Sequence, residues 1–329
     1  MKIKCYGPRG SLPAPATKEF DTREFGGNTS CYYVEAGPFR IILDCGSGIR
    51  MLGNDLLKAG QGVGGSWIVL LSHYHWDHIQ GLPFCIPMFI GANTFHFHGF
   101  KPAGHKKSLR PIVEEMLDHQ QSNPHFPVAH IDMPSQAVYV DHARQFSEEF
   151  WYVILHDGTY KKFDKDPRTF SYPEYNEFTA ARGPAGAFRD EDVLHVRTIP
   201  LNHPDGCLGY RIDYMGKSMV YATDNEPLLN PNAQLMAHGS DVQWMLLDGQ
   251  YLDQQLSRST QTYGHGTPRA CVIQAVACRA EHVIIHHHDP GHDDAQLALM
   301  EASAIESLAA FEETGLHVEF AREGKEWEI

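Results

Sequence analysis

The chain has 329 residues, 42% of them hydrophobic and 21% charged, which supplies apolar material for one large or two ordinary domains and argues against disorder or low complexity. Its formal net charge of −14 argues against nonspecific capture of a long nucleic acid, which calls for clustered Lys and Arg. A small anionic substrate stays open, because bound divalent cations reverse the local field.

The N-terminal Met1–Gly7 has no apolar stretch of signal-peptide length. No run of about 18 uncharged apolar residues occurs anywhere in the chain, so a soluble, cytoplasmic protein without membrane contact is expected. Seven cysteines (5, 31, 45, 85, 207, 271 and 278) are scattered without paired spacing. They fit reduced, mostly buried thiols better than a disulfide framework.

In chain order, strands are predicted over Lys2–Tyr6, Ser30–Glu35, Arg40–Leu43 and Trp67–Leu71. Glycine turns join them at Gly26-Gly27-Asn28-Thr29 and Asp44-Cys45-Gly46-Ser47-Gly48, and a short helix is expected over Ile49–Lys58. Directly after the fourth strand comes Ser72-His73-Tyr74-His75-Trp76-Asp77-His78, three imidazoles and a carboxylate on a loop leaving a strand end, where rigid scaffolds present chemistry. Chance yields a His-x-His-x-acid-His run in roughly one such chain per hundred. A zinc ion that only holds the fold together usually shows four closed, often thiolate-rich ligands, and this cluster carries no Cys. Imidazole suits zinc, while carboxylate oxygen also admits manganese or magnesium.

Residues 131–192 read less clearly. Phe150–Leu155 has strand character, but the Lys, Asp, Pro and aromatic residues after it show no period, as expected of a peripheral inserted elaboration, with a lid or dimer element as the alternative. Beyond it, strands are expected from Leu194 to Met219 and over Ser218–Asp224, the latter ending in a carboxylate. A helix is expected over Thr267–Ala280, a buried strand over Val283–Ile285, and a long amphipathic helix over Asp294–Thr314 capped at Gly315. The alternation predicts an α/β fold of two β-layers flanked by helices. Further ligand candidates sit at strand ends: His203 after Ile199-Pro200-Leu201, Asp224, and His287 after Val283-Ile284-Ile285. An Asp between two cations can bridge them with its two oxygens. His96, His98, His125 and His130 lack supporting spacing and read as core or surface residues; Trp76 and Phe84 are expected to pack around the site.

With these residues in place, the chain resembles the metallo-β-lactamase superfamily, marked by His-x-His-x-Asp-His and a later His, Asp and His. Within it the chain resembles most the phosphodiesterase branch that includes tRNase Z and the phosphoribosyl cyclic phosphodiesterases. The stretches carrying the resemblance are 7–11, 26–30, 43–48, 72–84, 221–224, Asp248-Gly249-Gln250-Tyr251, Tyr263-Gly264-His265-Gly266-Thr267 and His287-His288-Asp289-Pro290. It implies one αββα-sandwich domain over 1–329 and two divalent metal ions, Zn2+ or Mn2+. By the same resemblance His73, His75 and His203 hold one metal, Asp77, His78 and His287 the other, and Asp224 lies between them, with a metal-bridging hydroxide as nucleophile and Asp77 orienting it.

His286, His287 and His288 alternate in direction, and the family's His-His-Asp-Pro favours His287. The resemblance implies that His265 contacts the scissile phosphate and assists the leaving oxygen, oriented by Asp248. A helix-start histidine and a buried structural carboxylate are the bland readings of that pair, and Gly266 departs from the family's Ser or Thr.

The activity implied is hydrolysis of a small, cyclic phosphodiester such as a cyclic nucleotide or ribosyl cyclic phosphate. Alternatives are a tRNase Z-like RNA-processing nuclease, for which no basic, glycine- and lysine-rich arm is found, a lactone or thioester hydrolase, and a noncatalytic metal- or nucleotide-binding sensor. A homodimer is implied by the same resemblance.

Overall fold

The computed structural model describes residues 1–102, 105, 110–142, 151–156, 158–168, 175, 178, 189–228, 230–256, 261–311 and 314–329. Its strands are β1 (Lys2–Gly7), β2 (Cys31–Ala36), β3 (Phe39–Leu43), β4 (Ser66–Leu70), β5 (Thr94–Phe100), β6 (Gln136–His142), β7 (Trp151–Leu155), β8 (Tyr160–Phe163), β9 (Val193–Leu201), β10 (Cys207–Tyr214), β11 (Lys217–Ala222), β12 (Trp244–Asp248), β13 (His282–His286), β14 (His317–Phe320) and β15 (Glu326–Glu328). One sheet runs β15-β1-β2-β3-β4-β5-β6 and the other β14-β13-β12-β11-β10-β9-β7-β8. Pairing is antiparallel from β15 to β3 and parallel from β3 to β6. In the second sheet β11 to β14 run parallel, whereas β7 to β11 alternate.

Alternating residues decide the layering. Ile41, Leu43, Ile68 and Leu70 of the first sheet meet Tyr210, Ile212, Met219, Tyr221, Leu246 and Ile284 of the second in the central core. The opposite faces, carrying Ile42, Val69 and Phe97 on one side and Val220, Met245 and Val283 on the other, are roofed by helices. Ile49–Lys58 and Ile112–Gln120 cover the first sheet, and Pro268–Ala277 and Asp294–Ser307 the second. Two sheets buried on both faces give the expected αββα arrangement. No helix among the described residues is long and apolar enough to cross a membrane.

Several expected bounds are corrected. The last helix stops at Ser307 rather than Thr314, tightening into a 3-10 turn over Leu308–Ala310, which lets Leu308 and Phe311 both pack against the outer core. The preceding helix ends at Ala277, because Cys278 caps it and Arg279 turns left-handed at φ 54°. Between 131 and 192, β6 extends the edge of the first sheet, while β7 and β8 extend the second. Within that stretch 143–150, 157, 169–174, 176–177 and 179–188 lie outside the described residues. All seven cysteines are buried and unpaired.

Candidate metal centre

Strands β3, β4, β9, β11, β12 and β13 end on the same edge of the sandwich, so the residues at their C-terminal ends converge there. Asp44 follows β3, His73 follows β4, His203 follows β9, Asp224 follows β11, Asp248 ends β12 and His287 follows β13. The four-residue helix Trp76–Ile79, begun at His75, turns Asp77 and His78 inward.

The seven ligand candidates come together in two sets. His75 Nδ1 lies 3.1 Å from His203 Nε2, and His73 joins them as a group of metal-ligating atoms. In the other set His78 Nε2 lies 3.2 Å from His287 Nε2 and 3.1 Å from Asp77 Oδ2, and His287 Nε2 is 3.2 Å from the same oxygen. Asp224 faces both. Its Oδ2 is 3.6 Å from His73 Nε2 and 3.7 Å from His203 Nε2, while its Oδ1 is 3.2 Å from His78 Nε2 and 3.1 Å from His287 Nε2. Among the described residues, every cluster of three or more metal-ligating side chains falls in this one place.

This donor set fits divalent cations. With the Nδ1–H of His78 and of His287 engaged outward, the neutral rings turn Nε2 lone pairs towards each other at 3.2 Å, an arrangement that a cation relieves, and His73 Nε2 is buried without a hydrogen-bond partner. The outward ring nitrogens are oriented, as metal ligands usually require. His78 Nδ1 donates to Asp44 Oδ2 at 2.7 Å, His287 Nδ1 to Gln250 Oε1 at 2.9 Å and His203 Nδ1 to the Gly264 carbonyl at 3.0 Å. His73 Nδ1 lies 3.0 Å from Ser72 Oγ.

Charge follows the geometry. Burial, with His78 beside it, pushes His73 well below the usual imidazole range, and burial likewise lowers His75 and His203. For Asp77 and Asp224 burial acts upward, but the surrounding histidines outweigh it and hold both carboxyls well below their ordinary value. Burial acts downward on His78 and is overcome by Asp77, Asp224 and Asp44. These directions favour ionised carboxylates and neutral His73, His75 and His203, as ligation requires, whereas His78 without a cation is favoured in its charged form and would give up a proton on ligation.

Of the three consecutive histidines, His287 alone joins the cluster. His286 packs against the Tyr32 and Tyr221 rings in the core, and His288 Nε2 donates to the Ala321 carbonyl at 2.9 Å. The loop of residues 8–11 closes over His287. Gly10 lies so near that a Cβ there would sit 2.2 Å from His287 Cε1, and the Ser11 amide donates to Asp77 Oδ2 at 2.7 Å.

His265 stands at the rim of both sets, its Nδ1 donating to Asp248 Oδ2 at 2.9 Å and lying 3.9 Å from Asp224 Oδ2. Its ring stacks on His287 with centroids 4.9 Å apart. Burial opposes protonation of His265, yet Asp248, Asp224 and Asp77 prevail and raise it to about 9. Asp248 is held in turn by the Gln250 amide at 3.0 Å.

Two residues were legible only as parts of motifs. Asp44 accepts from the Ser72 amide and hydroxyl, His78 and the Tyr221 hydroxyl at 2.6–2.7 Å, and Gln250 holds His287. Both sit in stretches that carry the family resemblance, and a polar residue just after a buried strand was the available signal. The expectation for Trp76 and Phe84 is corrected, since they are 79% and 55% exposed: with Asp77 and His78 turned inward, the first helical residue is left facing solvent. His98 and His130 are core residues, and His96 is also buried.

No family model matches the chain. Among curated proteins it is similar to the ribonuclease Z of Picrophilus torridus, 22% identical over 318 residues covering 93% of this chain and 91% of the relative. It is also similar to the ribonuclease Z of a Bradyrhizobium species, 24% identical over 282 residues covering 83% and 87%. Similar solved structures include zinc-bound PqqB from Methylobacterium extorquens (TM-score 0.61, 14% identity, all of both chains). Human tRNase Z, short form, has a TM-score of 0.58 at 16% identity over 100% and 99% of the two chains. A diphosphatase of the PhnP family has 0.57 at 14% over 100% and 97%. The chain has the metallo-β-lactamase fold.

Proposed function

We propose that the protein is a metal-dependent phosphodiesterase acting on a small phosphodiester of the cyclic-nucleotide or ribosyl cyclic phosphate class. The observation that carries this reading is the His265–Asp248 pair at 2.9 Å on the rim of the ligand cluster. Carbon–oxygen or carbon–nitrogen ester chemistry on the same ligands leaves that pair without a task.

His73, His75, His203 and Asp224 would hold one divalent cation, and Asp77, His78, His287 and Asp224 a second. Bound there, such cations supply Lewis acidity and activate water at neutral pH. Asp248 fixes the imidazole of His265 by taking Nδ1–H, which leaves Nε2 for substrate. As the water oxygen forms its bond to phosphorus and the ester P–O bond breaks, Nε2–H is the group to stabilise and protonate the departing oxygen. Asp77, pinned by the Ser11 amide, orients the attacking water.

A second reading, RNA endonuclease of the ribonuclease Z type, is favoured by the two curated relatives, which match along most of their length. Against it stands the net charge of −14, which repels a long polyanion.

The test uses metal-stripped protein reloaded with zinc or manganese, assayed on bis-p-nitrophenyl phosphate, 2′,3′- and 3′,5′-cyclic nucleotides and a precursor-tRNA transcript. Small diesters are expected to turn over, and His265→Ala to lower kcat by about 10²–10⁴ with metal content unchanged. Faster cleavage of the transcript would install the nuclease reading. Full activity in His265→Ala would remove the role given to that residue.

A further inference from the structure

Two tyrosines near His265, one by ring contact and one by sequence, are left unused by the chemistry so far. Tyr251 lies edge-on to the His265 ring, centroids 5.8 Å apart at 78°, and Tyr263 is 55% exposed two residues before His265.

The backbone around Tyr263 is unusually constrained for so exposed a side chain. Thr262 has φ 78°, which a β-branched residue holds only where its surroundings over-determine it, and Gly264 has φ 92°, which glycine adopts readily. Here Glu226 Oε2 accepts from the Thr262 and Gly264 amides at 2.8 and 3.1 Å, on either side of Tyr263. Gly264 is further locked by accepting from His203, and a Cβ at that position would lie 1.9 Å from His203 Nδ1.

The fold thus spends a bent, clamped loop on an aromatic ring that it does not bury. Burial, with Asp289, Asp248 and Tyr263 nearby, pushes the Tyr251 hydroxyl up to about 12, so Tyr251 itself presents a neutral side chain. An aromatic face held in place beforehand binds a flat ring without an ordering cost, and base–aromatic stacking tolerates every base.

We infer that Tyr263, backed by Tyr251, is the stacking surface for the nucleobase of the nucleoside whose ester oxygen departs at His265. The inference rests on the phosphodiesterase reading and names its substrate class as nucleotides rather than base-free ribosyl phosphates. Specificity for a base would then arise on the leaving-group side of the phosphate.

The experiment compares kcat/KM for adenosine 2′,3′-cyclic phosphate with that for glycerol 1,2-cyclic phosphate, which has no base, in the zinc- and manganese-loaded enzyme. In Tyr263→Ala the ratio of the two is expected to fall about tenfold or more, chiefly through KM for the nucleotide, and Tyr263→Phe is expected to restore it. Tyr263 is solvent-exposed, so an unchanged melting temperature should accompany the loss.

An unchanged ratio in Tyr263→Ala, failure of Phe to restore it, or a larger effect from Trp76→Ala would overturn the inference while wild-type turnover of bis-p-nitrophenyl phosphate upheld the phosphodiesterase reading. A wild-type enzyme that hydrolysed no diester would remove both.

Discussion

Replacing Asp44 with Asn tests whether a residue that touches no candidate cation tunes the whole centre. The change is isosteric, and Asn tolerates the left-handed backbone at φ 58° as well as Asp does. The carboxylate takes three donors on Oδ2, from Ser72 Oγ, His78 Nδ1 and Tyr221 Oη, and one on Oδ1 from the Ser72 amide. The best an amide can do is place its oxygen where Oδ2 was. Three charge-assisted bonds then become neutral, losing roughly 1 kcal/mol each. The Ser72 amide faces an NH2 group and is left unsatisfied, at about 1–3 kcal/mol. The loss is therefore about 4–6 kcal/mol, a large share of a typical domain's stability, and should appear in urea unfolding of the metal-stripped protein. Because His78 also loses an anionic partner, zinc affinity measured against a chromophoric chelator is expected to weaken about 10- to 100-fold. A loss below about 1 kcal/mol with zinc affinity within a factor of two of wild type would refute the argument.

Chelation should lower the melting temperature of the loaded protein by a few degrees, since cation at about 100 times its Kd contributes about 2.7 kcal/mol, and Asp224→Ala should abolish that difference; a metal-dependent shift that survives in the variant would place the cation elsewhere. Gly10→Ala puts a methyl 2.2 Å from the His287 ring, so it should weaken metal binding more than Gly60→Ala, where a Cβ meets nothing, as read by metal content after gel filtration. His98 is held down to about 3 by burial and by His96. Its folded value thus lies below the unfolded one near 6.5, so its contribution is complete above pH 6.5 and is lost as pH falls from there toward 3. At pH 4.5 protonation of this imidazole in the unfolded chain alone removes about 2–3 kcal/mol of stability, and metal-free His98→Phe should lose correspondingly less stability than wild type between pH 7 and 4.5 in urea titrations; parallel losses would contradict this.

What could be read from the sequence was what repeats locally. Apolar runs such as Val283–Ile285 and Trp67–Leu71 announced strands, and the polar residues after them announced a site. Strand β5 escaped although Phe95 and Phe97 alternate with His96 and His98: the pattern is that of a strand with one wet face, and histidines without ligand spacing gave no sign that this second face is buried as well. Asp44 read as a turn residue because its partners Ser72 and Tyr221 lie 28 and 177 positions away. Register between sheets, not local pattern, sets that network. The choice of His287 over His286 and His288 likewise came from resemblance, and the structure explains it by the turn at the end of β13.

That turn is part of a wider pattern. Asp44, Asp224 and His287 each come just after a strand and each adopt a left-handed conformation, with φ of 58°, 42° and 63°. In extended backbone, neighbouring side chains point to opposite faces, so a left-handed residue redirects the chain just where a ligand or its partner must face the space between the sheets. Asp and His tolerate this better than most residues, but it still costs on the order of 1–2 kcal/mol. Because His287 holds φ 63°, the two ways of deleting its ring should differ. His287→Ala removes the imidazole and keeps the strained backbone, whereas His287→Gly removes both and adds only glycine's entropic cost of roughly 0.5–1 kcal/mol. In metal-free protein the Gly variant should therefore be the more stable by about 0.5–1 kcal/mol in urea unfolding, although both lose metal. The opposite order would mean that the left-handed turn costs an alanine less than glycine's entropy costs the fold, which would refute the strain assigned to it.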